Sequence, residues 1–544
     1  MDPASRPKLA YARFLVVTAV FICALTFYYL AVIKIDYHRT QLLDLGWSDP
    51  AQYFAQARAM LRGEYPYLNF GFQKLPSMYP AGYSALMLPW LKVLPEADSI
   101  LAPYRTNQTI GLLLLLAIFG FYCYIGMELT GGFAVALLAT LPGFFNFCRS
   151  STSELSASAF VALAFMFAYL GLKEDRRVSS YASAIFLGIA VDIRLQSLFF
   201  APLLLTVALF PVCSKRPHWL PHCVGPLLVF LLAVSPLLVL NAIEFHSLFK
   251  TGYHFWLAHR PGNIPLFSVR YVPTNLALLW GELALHPPKI SIANSFGSGT
   301  FFVPAFVVLV CLGAFFVRVD RFVVCASIAG FTFFAATTSY FPYWLDMRFY
   351  LPLVILLVAV AVLPITWAAQ NLLGATRIPV SLAIVVLFIA ACLGYPCRAA
   401  GKPAKAGRAE VCKALHFTDV TRSSPWFIAQ RRFVETFRQQ PGLVLADINP
   451  VYLNALLPDR FVALPLDGER YFAFREILTY NREDAEALVQ RALADSLPVY
   501  ALFLSKEEMK QKASRLPQID GYAWVLTEYP TSEATILKLN ASSQ

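Results

Sequence analysis

The chain has 544 residues, of which 58% are hydrophobic and only 14% charged, whereas soluble domains carry about a quarter charged residues. The apolar residues fall in runs of membrane-spanning length, which excludes a soluble protein of this size. A formal net charge of +11 would point to nucleic acid in a soluble chain; here the basic residues stand at the edges of the apolar runs, where they orient spans and meet anionic lipid, so membrane lipids and no nucleic acid are the implied partners.

Arg6, Lys8 and Arg13 precede the first apolar run, 14–33. That run is about twenty residues long and lacks a small-residue cleavage site, so it reads as a retained anchor and not a signal peptide. In the loop that follows (34–107), Asp44 reads as solvated, and Ser48-Asp49-Pro50 opens a helix, with Asp49 suited to the N-cap and Pro50 to the first helical position. Tyr53, Ala57, Met60 and Leu61 continue at helical spacing and Gly63 ends the helix. After Tyr79-Pro80, a second segment sets Tyr83, Leu86, Met87, Trp90, Leu91 and Leu94 on one stripe. It is too short to span and carries interfacial aromatics, so it is expected to lie in the membrane surface.

The further apolar blocks are 108–127, 131–147, 155–172, 180–191, 195–213, 223–243, 299–317, 322–342, 350–368 and 378–397. The 180–191 block is short for a span at about 1.5 Å rise per residue, and an alternative joins 180–213 into one helix with Asp192 and Arg194 at its centre. Charge bias decides between them. With eleven spans and the N-terminus inside, Lys173, Arg176, Arg177, Lys215, Arg216, Arg318, Arg321 and Arg377 are all cytoplasmic, and the short outer turns hold one basic residue each, Arg149, Arg194 and Arg348. The joined helix reverses everything after it. The eleven-span reading leaves three pieces outside: 34–107, 244–298 and the tail.

The chain thus divides into a membrane domain (1–397) and a soluble C-terminal domain (398–544). In the latter, the runs LVLAD, RFVAL, VYALFL and AWVLTEY read as strands and REDAEALVQRALAD as a helix, a small α/β domain. Cys23, Cys123, Cys311, Cys325 and Cys392 lie inside apolar blocks and no CxxC occurs. Cys397 and Cys412 lie outside the membrane, either paired or as two unrelated thiols. His246, His254 and His259 follow no zinc spacing, so no metal or other cofactor is predicted. Asn107-Gln108-Thr109 and Asn540-Ala541-Ser542 match the glycosylation pattern.

No Asp, Glu, Lys or Arg lies inside an apolar block, which counts against an ion-coupled transporter or lipid flippase. The candidate charges collect at one face instead: Asp44, Asp49, Arg149, Glu154, Asp192, Arg194, Asp346 and Arg348. A site there can hold a polar headgroup while a lipid tail stays in the bilayer.

The stretch SDPAQYFAQARAMLRGEYPY followed by YPAGYSALMLPW resembles the first outer loop of the glycosyltransferase-C superfamily, particularly its protein O-mannosyltransferase and aminoarabinose-transferase branch. RSSTSELSASAF, GIAVDIRLQSLFFAP, NAIEFHSLFKTGY and YWLDMRFYLPLV resemble later outer segments of that branch, in the same order. The resemblance covers most of 14–400 and implies an all-α polytopic membrane bundle of about 11 transmembrane helices with a small extracytoplasmic α/β domain. It implies that Asp49 is the catalytic carboxylate with Tyr53 beside it, that Glu154 is a second acid, and that Arg194 and Arg348 are the basic residues of the substrate site. Many relatives carry Lys-Pro-Pro where this chain has Tyr79-Pro80-Ala81, so a phosphate-binding lysine is absent there and Lys74 is the nearby substitute. Tyr79 and Tyr83 complete the expected substrate-binding set.

The implied reaction moves a sugar from a polyprenyl- or dolichyl-phosphate to an acceptor hydroxyl on a protein, lipid or glycan. Asp49 would deprotonate the acceptor and the basic residues would offset the departing phosphate. The other readings are that Asp49 only caps its helix, that Glu154 caps the span starting at Leu155, and that Arg194 and Arg348 pair with Asp192 and Asp346 or anchor to headgroups. An O-antigen-ligase-like enzyme would share the lipid donor but use a basic central loop.

Overall fold

The computed structural model describes residues 6–34, 48–70, 73–174, 176–213, 219–257, 265, 267–283, 304–340, 347–374, 440–446, 460–466, 482–527 and 535–542, with a few single positions between 433 and 457. Asp44, His259, Asp346, Cys397, Cys412 and the 378–397 block lie outside the described residues.

The first apolar block is α1 (Arg6–Tyr28), which runs on into a π-helical turn at Tyr29–Ile33. Helix α2 (Ser48–Leu61) takes in Ser48, so Asp49 lies in its first turn and not at the cap; a carboxylate is favourable in the first turn as well, beside the unpaired N–H groups. The helix ends as its glycine dictates. Gly63 has φ +75°, and its N–H donates to Met60 O while Glu64 N–H donates to Ala59 O, both at 3.0 Å. These paired bonds around a left-handed residue satisfy the last carbonyls. A hairpin without a marked sequence signal follows, β1 (Tyr67–Phe70) antiparallel to β2 (Gln73–Pro76). Then comes α3 (Gly82–Val93), with Tyr83, Ser84, Met87 and Leu91 buried along one side.

The bundle continues with α4 (Ala102–Tyr124), α5 (Glu128–Thr140), α6 (Pro142–Cys148), α7 (Glu154–Glu174), α8 (Arg177–Ile193), α9 (Ala201–Cys213) and α10 (Trp219–Phe245). Pro142 divides the 131–147 block, because proline suits the first position of a new helix and not the interior of an old one. The 180–213 stretch is not one helix. The backbone extends at Arg194 (φ −153°, ψ 116°) and a 3-10 turn at Leu195–Phe200 leads into α9. Helices α11 (Gly252–Leu257), α12 (Val272–Leu283), α13 (Pro304–Ala314), α14 (Arg321–Thr338) and α15 (Leu351–Gly374) follow. Among the described residues, six helical stretches are long and apolar enough to cross a membrane: 14–33, 98–124, 154–174, 224–245, 321–338 and 348–371.

The C-terminal part holds β3 (Gly442–Ala446), β4 (Phe461–Pro465), α16 (Arg482–Ala494), β5 (Val499–Phe503), α17 (Lys506–Lys512), β6 (Tyr522–Leu526) and β7 (Thr535–Ala541). The sheet order is β4-β3-β5-β7-β6, parallel across β4, β3 and β5 and antiparallel from β5 onward. Every residue of β3 and β5 is buried, as central parallel strands covered on both faces require. Leu443 and Leu445 pack with Val489 and Ala492 of α16, while Val444 and Ala446 pack with Phe433 and Tyr500 on the other face. The outer strand β6 is largely exposed.

The chain forms two compact units. One comprises Met1–Ile35, Asn107–Pro236 and Ile264–Asp419; the other comprises Asp36–Thr106, Leu237–Asn263 and Val420–Gln544. In the first, Val16, Val20, Ala24 and Tyr28 repeat every four residues along α1 and pack into a core with Phe133 and Leu137 of α5 and Leu351, Val354 and Val358 of α15. A second core joins Val161 and Phe165 of α7 to Leu187 of α8, Phe200 and Phe333, the last two stacked with ring centroids 4.4 Å apart. In the second unit the first outer loop and the C-terminal part are joined: the Arg58 guanidinium on α2 donates to the carbonyls of Asn454 and Leu457.

Candidate functional site

Two groups of candidate residues emerge, one in each unit. In the second unit, Asp49, Gln52, Tyr53 and Gln56 follow the i, i+3, i+4, i+7 spacing that sets residues on one face of α2. That face clamps the 77–81 loop. Gln52 Oε1 accepts from Met78 N–H (2.9 Å) and Ser77 Oγ (3.1 Å). Gln56 Nε2 donates to Tyr79 O (3.0 Å) while its Oε1 accepts from Ser84 Oγ (2.7 Å). Both glutamines are buried, and these bonds satisfy amide groups that would otherwise be costly inside.

The clamp fixes Tyr79, whose hydroxyl donates to Asp49 Oδ1 at 2.6 Å. Burial, and then the adjoining Asp49 carboxylate, hold the Tyr79 phenol well above the ordinary tyrosine range, so it stays protonated and remains a donor. Its ring lies 5.1 Å from that of Tyr53 and 5.7 Å from Tyr253, and Tyr53 lies 5.0 Å from Tyr83. The expected Tyr53, Tyr79 and Tyr83 are therefore brought together around Asp49, with Tyr53 and Tyr83 as buried packing. Tyr83 Oη is engaged with Pro103 O at 3.2 Å.

Gly252 and Tyr253 complete this group and were not foreseen. A Cβ on Gly252 would collide with the Ser77 carbonyl oxygen, so only glycine lets this backbone close on the 77–78 turn and bring Tyr253 against Tyr79. Lys74 is held elsewhere on the loop's own hairpin: its ammonium lies 4.3 Å over the Tyr67 ring and 3.7 Å from Glu64 Oε1.

In the first unit, Arg194 and Arg348 converge on Glu154, the first residue of α7. Arg194 Nη1 lies 2.8 Å and Arg348 Nε 3.3 Å from Glu154 Oε1, and the three side chains are 11%, 15% and 2% exposed. Arg194 also donates to Ser153 Oγ (3.0 Å) and Gln196 Oε1 (2.9 Å). Both guanidiniums lie near the Phe349 ring, at 4.8 and 5.2 Å from its centroid, a favourable placement for planar cations. The extended backbone at Arg194 is what turns this side chain out of the α8–α9 path. The turn before Glu154 is held by Asn107, whose Nδ2 donates to Ser150 O (2.9 Å) and Thr152 O (2.8 Å) and whose Oδ1 accepts from Ser156 Oγ (2.9 Å). Asn107 is fully buried with its amide nitrogen engaged, so the glycosylation match there is a structural asparagine and not a glycan acceptor. His246 and His254 are exposed, and among the described residues no group of three His, Cys, Asp or Glu side chains gathers as metal ligands.

No family model and no curated protein matches the sequence. Solved structures do. ArnT from Cupriavidus metallidurans bound to undecaprenyl phosphate aligns over 96% of this chain and 97% of its own, with TM-score 0.59 and 11% identity. Its apo state gives TM-score 0.58 at 12% identity over the same shares. The oligosaccharyltransferase of Archaeoglobus fulgidus in its apo form aligns over 97% of this chain and 74% of its own, with TM-score 0.50 and 13% identity. These likenesses run through nearly the whole chain, membrane helices and C-terminal sheet alike, and its fold is that of the glycosyltransferase-C membrane proteins.

Proposed function

We propose that the chain is a membrane glycosyltransferase that moves a sugar from a polyprenyl- or dolichyl-phosphate to an acceptor hydroxyl on the extracytoplasmic face. The observation that carries this reading is the carboxylate of Asp49 in the first turn of α2, held by the Tyr79 hydroxyl at 2.6 Å, in a chain of glycosyltransferase-C fold. Phosphate leaves without help from a general acid, so the one proton to be moved is the acceptor's. Asp49 takes that proton as the acceptor oxygen attacks the anomeric carbon. The bond from that carbon to the phosphate oxygen breaks on the opposite side, and configuration inverts.

Arg194 and Arg348 offset the charge that grows on the departing phosphate. Glu154, ion-paired to both, orients them, which fits the geometry better than a second acid does. Tyr53 and Tyr83 shape the ground behind Asp49, and Lys74 serves its own hairpin. The bound undecaprenyl phosphate of the ArnT structure supports a lipid carrier of this chemistry. The eleven-span arrangement with the N-terminus inside would put the first loop and the tail on the outer face together, and the Arg58 contact with Asn454 and Leu457 supports their common side.

The test is to incubate the purified full chain with undecaprenyl phosphate and record native mass spectra. A bound species at the mass of one carrier, competed by a polyprenyl phosphate of another length but not by the neutral polyprenol, is expected. A chain that takes up neither carrier, or the neutral alcohol equally, is not an enzyme of this class.

A further inference from the structure

Two buried side-chain amides in the first unit act alike on the outer turns that carry the ion-paired group. Asn107 gives its Nδ2 to the carbonyls of Ser150 and Thr152, just ahead of Glu154. Asn275, in the first turn of α12, gives its Nδ2 to the carbonyls of Thr338 (2.6 Å) and Tyr340 (2.7 Å), ahead of Arg348. In each case one amide bridges two carbonyls at i and i+2. Thr338 is the last residue of α14, and the final carbonyls of a helix have no partner within it. Asn275 supplies one from another helix, which fixes where α14 stops and how the chain leaves it. The neighbouring backbone closes the same seam: Ser268 N–H donates to Ser339 O at 2.8 Å, and Phe267 bridges Tyr340.

Asn275 is fully buried, and its Oδ1 has no donor among the described residues. An unmatched buried acceptor is costly, and an apolar side chain of the same size would pack without that cost. What Asn275 contributes is therefore its two N–H groups. From this seam a row of rings leads to the arginines. Phe267 lies 5.3 Å from Tyr340, and Tyr340 lies 5.9 Å from Phe349. The Arg194 and Arg348 guanidiniums rest 4.8 and 5.2 Å from the Phe349 centroid. Phe267 also lies 5.8 Å from Phe199, on the turn that follows Arg194. We propose that Asn275 is a positioning residue for Arg194 and Arg348. By holding the end of α14 it seats Tyr340 against Phe349, and Phe349 sets the two guanidiniums against Glu154. The effect on the lipid donor rests on reading these arginines as phosphate residues; the placement itself does not.

Two measurements on the purified full chain in one detergent test this. The first is a thermal-unfolding cycle of Asn275→Leu, Arg348→Met and the double variant. If Asn275 seats Arg348, the double variant should lose clearly less than the sum of the two single losses, because Arg348 is already displaced from Glu154 in the Asn275→Leu protein. The second is native mass spectrometry with undecaprenyl phosphate, whose affinity should fall roughly tenfold in Asn275→Leu. Val20→Ala, in the core of α1, serves as a destabilised control and should bind the carrier as the wild type does. Losses that simply add, or a carrier affinity that Val20→Ala weakens as much as Asn275→Leu, overturn the proposal. A wild type that takes up no carrier ends the proposed function, and the unfolding cycle still decides the placement. Asn275→Ser, a milder change that keeps one donor, carries both measurements, with a smaller effect, where the leucine variant does not accumulate.

Discussion

Glu154→Gln preserves the shape of the side chain and removes its charge, leaving Arg194 and Arg348 beside a neutral amide. Both nitrogens lie within 3.3 Å of the same oxygen, so the two guanidiniums are about 6 Å apart or closer, and at an effective dielectric of about 20 their repulsion is roughly 3 kcal/mol. Breaking a buried pair by removing one partner costs about 3–5 kcal/mol in general, and the two figures agree in scale. The assay is thermal or denaturant unfolding of the purified chain in one detergent, wild type against Glu154→Gln. Pairing the change with Arg348→Met restores charge balance and should recover part of the loss, giving a positive coupling in the double-mutant cycle. Raising the salt should do little to the difference, since the group is buried. A Glu154→Gln protein within about 1 kcal/mol of wild type would refute the view that this carboxylate holds the arginines together.

Tyr79→Phe keeps the ring contacts with Tyr53 and Tyr253 and removes the charge-assisted hydrogen bond to Asp49; it should lower kcat roughly 10–100-fold with little change in donor KM, measured as sugar transfer from a lipid-phosphate donor. Arg348→Lys keeps the charge but loses the planar fork over Phe349, so kcat/KM for the donor should fall, whereas simple anchoring to headgroups would leave it unchanged. Gly252→Ala places a methyl against the Ser77 backbone and should cost about 1–3 kcal/mol in unfolding measurements. Cysteine labelling should find residue 470 and the 34–107 loop on the same, extracytoplasmic side, with Arg176 and Arg216 inside; a cytoplasmic residue 470 contradicts the orientation.

Local rules made much of this chain legible. Pro50 and Gly63 bracket α2 in the sequence and do so in the structure, with the start moved two residues earlier, from Pro50 to Ser48. The division at Arg194 followed from the charge bias of connectors far from it. The strands β3, β4, β5 and β6 and helix α16 were each visible as apolar runs or helical periods, but β7 was not: ILKLN is short and lies beyond a mixed stretch, and only pairing with β5 and β6 defines it. The hairpin Tyr67–Pro76 was missed because four-residue strands carry too few alternations to be read. Both Arg194 and Arg348 reach Glu154, a shared partner that adjacency along the chain does not reveal. Gln52 and Gln56 were the available signal for the Asp49 clamp, since two amides on the same helical face as Tyr53 call for a backbone to bond. Gly252 offered none, because its need for a bare Cα arises from a turn more than 170 residues earlier.

The claim at the centre of the account is that Asp49 accepts the acceptor's proton. Asp49→Asn keeps the shape of the side chain, and its amide oxygen still accepts a hydrogen bond from Tyr79, so the variant should lose no more than the ~0.3–1 kcal/mol that a charge in the first helical turn contributes and should accumulate to a similar abundance. With the two proteins at equal concentration, sugar transfer from a polyprenyl-phosphate donor should be slower in the variant by roughly a hundredfold or more. Transfer at the wild-type rate by a stable Asp49→Asn protein would contradict the account and leave Asp49 as a structural residue of α2.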